Sequence, residues 1–191
     1  MNKGRLEAFS DGVLAIIITI MVLGMDTPED VTLKALVPQV PVFVSYVLSF
    51  IYVGIYWINH HHIMQVTHRI NGTILWANLN LLFWLSLVPL TTNWIGKNHL
   101  SPVPVAFYGG VLLMCAIAFH ILEYTLIRYH GEDFPLRKFH AGRMKEKLSI
   151  VIYFSAIPLA FVCVWISIFL YFLMACLWVV PSKRLEKEME K

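Results

Sequence analysis

The chain has 191 residues, 58% of them hydrophobic and only 14% charged, with a mean hydropathy of +0.67 and a formal charge of +3. A soluble domain averages roughly 45–50% apolar and about 25% charged residues, so this composition cannot build a water-facing surface. It implies an all-α polytopic membrane protein, leaves no room for a large soluble catalytic domain, and gives no reason to expect a nucleic-acid partner.

Six apolar segments follow along the chain, at 6–25, 41–64, 72–93, 103–129, 147–164 and 166–180, each read as a transmembrane helix. The first starts with Arg5, Glu7, Ser10 and Asp11 at one membrane interface. Asp11 sits about 9 Å above Arg5 on a helix rising ~1.5 Å per residue. An ionised carboxylate at that depth costs several kcal/mol unless paired, so a partner is expected from another helix, either Asn59 or a histidine at matching depth. Asp11 also interrupts what would otherwise be a signal-peptide core, so the first helix is expected to stay in place. At ~100° per residue, Gly12, Ile16, Thr19, Ile20 and Leu23 share about one third of the helix circumference and form a smooth apolar stripe with one hydroxyl. The acidic loop after it carries Asp26, Glu29 and Asp30 close to the membrane, which is either an ordinary solvated loop or, were there a cation pathway, a charge set that would concentrate cations at its mouth.

The second segment closes on Trp57, Ile58, Asn59, His60, His61 and His62. Adjacent histidines point ~100° apart and cannot chelate one ion from one helix face as an i, i+4 pair does, so no metal site is expected. They are read as hydrogen-bonding groups of the bundle. In the third segment Asn78, Asn80, Ser86, Pro89, Thr91 and Thr92 are polar residues in an apolar run, and Asn78 lies at the height of Asn59 and Asp11. In the fourth, Glu123 and Arg128 read as an interfacial pair whose ends reach water.

Residues 148 to 180 carry no charge. A single helix there would be about 50 Å long, so two short helices are expected, with a tight turn near Trp165 to Ser167 and a kink at Pro158. Cys115, Cys163 and Cys176 lie inside apolar runs with no CxxC spacing, and predict neither a disulfide framework nor a zinc site. The chain thus divides into a transmembrane domain at 1–180 and a charged tail at 181–191.

Basic residues orient the spans, because short cytoplasmic loops collect Lys and Arg. With six spans and the N-terminus inside, only Lys34 and Lys97 of the 15 basic residues fall on the outer side. Five or seven spans would place the basic tail outside. Both termini are therefore expected in the cytoplasm.

The segment Arg5-Leu6-Glu7-Ala8-Phe9-Ser10-Asp11, together with Asn59-His60-His61 and the run from Asn80 through Phe83 to Ser86-Leu87-Val88-Pro89-Leu90-Thr91, resembles the bacterial members of the lysosomal/endosomal potassium channel family. The resemblance covers the first three helices closely and the last three only in number and length. It implies a six-helix subunit without a Thr-Val-Gly-Tyr-Gly filter, whose first helix lines the pore. Animal relatives carry two such repeats per chain and dimerise; one Phe-Ser-Asp per chain implies a homotetramer.

By the same resemblance the constrictions fall on Ile16, Ile20 and Leu23, with Thr19 as the polar layer linked to potassium preference. Arg5, Ser10 and Asp11 are implied to form a supporting network with Asn59, His60, His61 and Asn78. The permeant ion is K+ with no cofactor. The partners are other copies of the chain, membrane lipid and monovalent cations, and the location is a bacterial inner membrane. The alternative reading is a secondary ion transporter, which calls for internal repeats, broken helices and an acid near the midplane; the first helix has no Pro, and Asp11 lies off the midplane. No nucleophile–base pair points to an enzyme.

Overall fold

The structure, a computed structural model, describes residues 3–28, 30–98, 100–132, 134–140 and 144–179. Glu29, Arg143 and the tail at 181–191 lie outside the described residues. Eight α-helices make up the described chain: α1 (Lys3–Leu23), α2 (Val40–Gln65) preceded by a 3-10 turn at Leu33–Gln39, α3 (Gly72–Ser86), α4 (Val88–Lys97), α5 (Pro102–His130), the short α6 (Pro135–His140), α7 (Met144–Leu159) and α8 (Val164–Val179).

Local chemistry sets the ends of these helices. Asn71 caps α3 by accepting the Ile74 N–H at 2.9 Å, satisfying one of the donors that every helix start leaves open. Pro41 and Pro102 stand in the first turns of α2 and α5, where their missing N–H costs nothing. Gly131 ends α5 with φ of +86°, a conformation that side chains with a Cβ rarely adopt. The third apolar segment is broken into α3 and α4 at Leu87, because Pro89 has no N–H to give to the carbonyl of Leu85.

Four apolar stretches are long enough to cross a membrane unaided: Lys3–Leu23, Leu33–Gln65, Gly72–Lys97 and Pro102–His130. The helices α7 and α8 have 16 residues each, about 24 Å at ~1.5 Å per residue. They form a short antiparallel hairpin, in which the Trp178 indole donates to Ser149 Oγ at 2.8 Å and Ser167 Oγ donates to the Ala156 carbonyl at 2.7 Å. Six apolar segments thus become four full-length spans and one shorter pair. The hairpin turn lies at residues 160–163, earlier than expected, and Trp165 and Ser167 belong to α8. Pro158 stands inside the last turn of α7, one residue before its end and next to the hairpin turn.

Two apolar cores share α5. One joins Leu14, Ile17 and Met21 of α1 to Ile74, Leu81 and Leu85 of α3 and to Leu122 and Leu126 near the end of α5. The other joins Tyr52 of α2 and Tyr108 and Leu112 of the first half of α5 to Tyr153 of α7 and Tyr171 of α8. Close approach of backbones needs small residues. A Cβ on Gly96 of α4 would stand 2.7 Å from the Cα of Val42, and one on Gly109 of α5 would collide with the Tyr171 hydroxyl. Outside the cores, Phe154, Phe161, Phe169 and Phe172 are exposed on α7, α8 and their turn, a surface suited to lipid. The chain is an integral membrane protein with several apolar helices.

Candidate pore face and its supporting network

α1 has two unlike faces. Leu6, Ser10, Leu14, Ile17 and Met21 recur at helical spacing and are buried against the rest of the subunit. Ile16, Ile20 and Leu23 are 57%, 48% and 82% exposed, whereas Ile17 is 3% exposed. Thr19 lies on the exposed side with them, and its Oγ1 donates to the Ile16 carbonyl at 2.9 Å. That bond uses the only hydroxyl hydrogen, so the remaining oxygen lone pairs are available to a cation or to water.

On the buried side a hydrogen-bonded chain ties three helices together. Ser10 Oγ of α1 donates to the Leu6 carbonyl at 2.8 Å, and Asn78 Nδ2 of α3 donates to Ser10 Oγ at 3.0 Å. The Asn78 carbonyl oxygen accepts from His60 Nε2 of α2 at 2.8 Å, since a carbonyl can only accept, which puts a proton on that ring nitrogen. Ser10, His60 and Asn78 are all buried. Each polar group therefore has a partner where water cannot supply one.

The other residues expected in this network are placed elsewhere. Asp11 is exposed, and its carboxylate accepts from the Trp57 indole at 3.0 Å; neither Asn59 nor a histidine supplies the bond. Trp57 in turn stacks on His61, with ring centroids 6.1 Å apart. Asn59 donates back to the Ile55 carbonyl of its own helix at 2.7 Å, and His61 Nε2 lies 2.8 Å from Gln65 Nε2. Arg5 is exposed and joins none of these groups within one subunit. Glu123, expected beside Arg128, turns its carboxylate toward His120 and toward Glu146 of α7.

The sequence reading assigned no role to Trp57, Ser49 or the core tyrosines. Ser49 Oγ lies 2.6 Å from Thr92 Oγ1 and 3.0 Å from the Tyr108 hydroxyl, linking α2, α4 and α5. The Tyr52 hydroxyl donates to the Tyr171 carbonyl at 2.6 Å, and Tyr153 donates to the Tyr52 hydroxyl at 3.2 Å. The one signal for them was four tyrosines inside otherwise apolar runs, since a buried hydroxyl needs a partner.

Residues 5–89 match the family described as endosomal/lysosomal potassium channel TMEM175. A potassium channel of Chryseobacterium sp. (strain P1-3) is 52% identical over 191 residues, which is all of both chains. The crystal structure of a lysosomal potassium-selective channel TMEM175 homolog from Chamaesiphon minutus superposes with a TM-score of 0.82 at 27% identity, covering 93% of this chain and 96% of that one. A zebrafish protein named as an endosomal/lysosomal proton channel is 26% identical over 95% of this chain but only 39% of its own length. Identity running the whole length of a bacterial potassium channel, on a shared fold, places the chain in the TMEM175 family, whose members are channels and not enzymes.

Proposed function

We propose that the chain is one subunit of a homotetrameric potassium channel that conducts passively. It would sit in a bacterial inner membrane as six transmembrane helices, with both termini in the cytoplasm. The pore is lined by α1 from each of four copies, with Ile16, Ile20 and Leu23 as its aliphatic constrictions and Thr19 as a polar layer.

The observation that carries this reading is the partition of α1. Its buried face is fully used inside the subunit, while another side presents Ile16, Thr19, Ile20 and Leu23 outward; the exposed Asp11 lies about 140° around the helix from Ile16. Facing lipid, the Asp11 carboxylate with one indole donor would remain costly. With the stripe on a water-filled axis and Asp11 turned toward a neighbouring copy of the chain, both surfaces would lie in a suitable environment. A ring of aliphatic side chains supplies no ligand to replace ion hydration, so it resists conduction by dewetting. The Thr19 oxygens, with their hydrogens turned to the Ile16 carbonyl, give the axis one layer of acceptors. The family name and the name of the Chryseobacterium relative both support potassium as the permeant ion. Ser10, His60 and Asn78 hold the pore helix to α2 and α3.

The test is ion flux into proteoliposomes. Potassium uptake down its own gradient should proceed without a proton or sodium gradient, and Ile16→Asn should raise it severalfold while weakening discrimination against sodium. Ile17→Asn, on the buried face, should lower yield and never raise flux. Flux that requires a co-ion, or a gain from Ile17→Asn and none from Ile16→Asn, overturns the proposal.

A further inference from the structure

A second group of ionisable residues lies away from α1, where α5 meets the start of α7. His120 and Glu123 are three residues apart on α5 and so share one face. Glu146 stands in the first turn of α7. His120 Nδ1 is 3.2 Å from Glu146 Oε2, and one ligand atom from each of His120, Glu123 and Glu146 lies within 4.8 Å of the others. All three residues are half-buried. A tetrahedral zinc ion with ligands at roughly 2.0–2.2 Å holds its donor atoms roughly 3.4 Å apart, so small side-chain rotations close the set around an ion.

We propose that His120, Glu123 and Glu146 bind a divalent first-row transition metal, Zn2+ above all, which clamps the α7–α8 hairpin to α5. One imidazole and two carboxylates form a borderline nitrogen–oxygen donor set that zinc, cobalt and manganese accept, whereas soft copper(I) prefers sulfur. With the imidazole neutral, the two carboxylates balance the charge of a dication. The fourth ligand position belongs to water, because a cleft whose lining includes Tyr56, Asn59 and Trp178 opens beside His120 and Glu146. The contacts between α7 and α8 then pass any tightening at Glu146 on to the whole hairpin: Ser149, one turn past Glu146, receives the Trp178 indole hydrogen at 2.8 Å.

The test uses the full-length protein in detergent, stripped with a chelator and titrated with Co2+ while its visible ligand-field absorption is followed. Intense bands saturating at one Co2+ per chain, bleached by Zn2+, are expected, and Zn2+ should raise the unfolding temperature. Glu123→Gln and Glu146→Gln keep side-chain shape and should each weaken Co2+ binding more than about tenfold, since even residues behind a metal's direct ligands cost ~10–100-fold. The double variant His61→Ala, His62→Ala should bind as the parent does. No saturable band in the parent chain overturns the proposal whatever the variants do, and leaves His120 and Glu146 as a plain ion pair between helices. Binding that survives both Gln variants, or disappears with His61 and His62, overturns it too. None of these measurements involves ion flux, so they stand apart from the channel reading.

Discussion

Thr19 and Asn78 are both polar residues in apolar helices, and they are handled in opposite ways. Asn78 is fully buried, with its amide nitrogen donating to Ser10 and its oxygen accepting from His60. The two bonds fix which way the amide points, because the Ser10 hydroxyl hydrogen is committed to the Leu6 carbonyl. An interhelical bond in a membrane averages only ~0.6 kcal/mol, yet leaving either buried group unpaired costs about 1–3 kcal/mol, so the triad's main effect is to specify how α1, α2 and α3 align. Thr19 is exposed and bonded only to its own helix. If four such oxygens contact a partly dehydrated ion, Thr19→Val removes them with little change of shape. A contact worth ~0.6–1 kcal/mol corresponds to a roughly three- to fivefold preference, so the potassium-to-sodium permeability ratio should fall by about that factor while conduction persists. Reversal potentials under bi-ionic conditions measure it; an unchanged ratio would assign selectivity to Ile16, Ile20 and Leu23 instead.

Among the elements, α5 contributes to both apolar cores along its length, as α2 and α4 also do. Its contact with α8 depends on the absence of a side chain at Gly109, where a Cβ would collide with the Tyr171 hydroxyl. That hydroxyl donates to the Val105 carbonyl one turn earlier on α5, at 3.2 Å, so it has little freedom to retreat. Gly109→Ala should therefore cost about 1–3 kcal/mol, the usual penalty of overpacking. Removing the colliding oxygen by Tyr171→Phe should itself cost about 0.5–1.5 kcal/mol, yet should partly rescue Gly109→Ala in the double variant. Thermal unfolding in detergent reads the coupling; strict additivity would mean that the two residues do not meet.

For the whole molecule, the proposed tetramer would carry the environment of Asp11 beyond one subunit. Inside the subunit it has one indole hydrogen bond and is exposed, so Asp11→Ala should leave the helix content of the subunit unchanged. In the proposed four-fold assembly the same carboxylate would come to lie beside a neighbouring copy of the chain. The expected result is a lower tetramer fraction by native mass measurement, with the monomer still folded. A tetramer of unchanged yield and thermal stability would make Asp11 a solvated surface acid.

Composition alone determined that the chain lives in a membrane, because 14% charged residues cannot cover a soluble surface. Helical periodicity separated the faces of α1, since residues spaced at 3.6 share an environment whatever their partners are, and Ile16 and Ile17 differ in exposure as that period requires. Depth along a span also follows from counting residues, which is why Ser10, His60 and Asn78 could be expected near one height. What counting cannot supply is the direction in which a side chain leaves its helix relative to its neighbours. That depends on how each helix is rotated when all of them pack together. Only the tertiary structure gave Asp11 to Trp57 and sent Asn59 back to its own backbone. It also drew Glu123 away from its sequence neighbour Arg128 toward Glu146, which stands 23 positions further along the chain. The hairpin turn at 160–163 was hidden for a related reason: residues 148 to 180 are apolar throughout, so nothing in their polarity marks the reversal, and the packing of Tyr153, Ala156, Tyr171 and Met174 into one core decided where it falls.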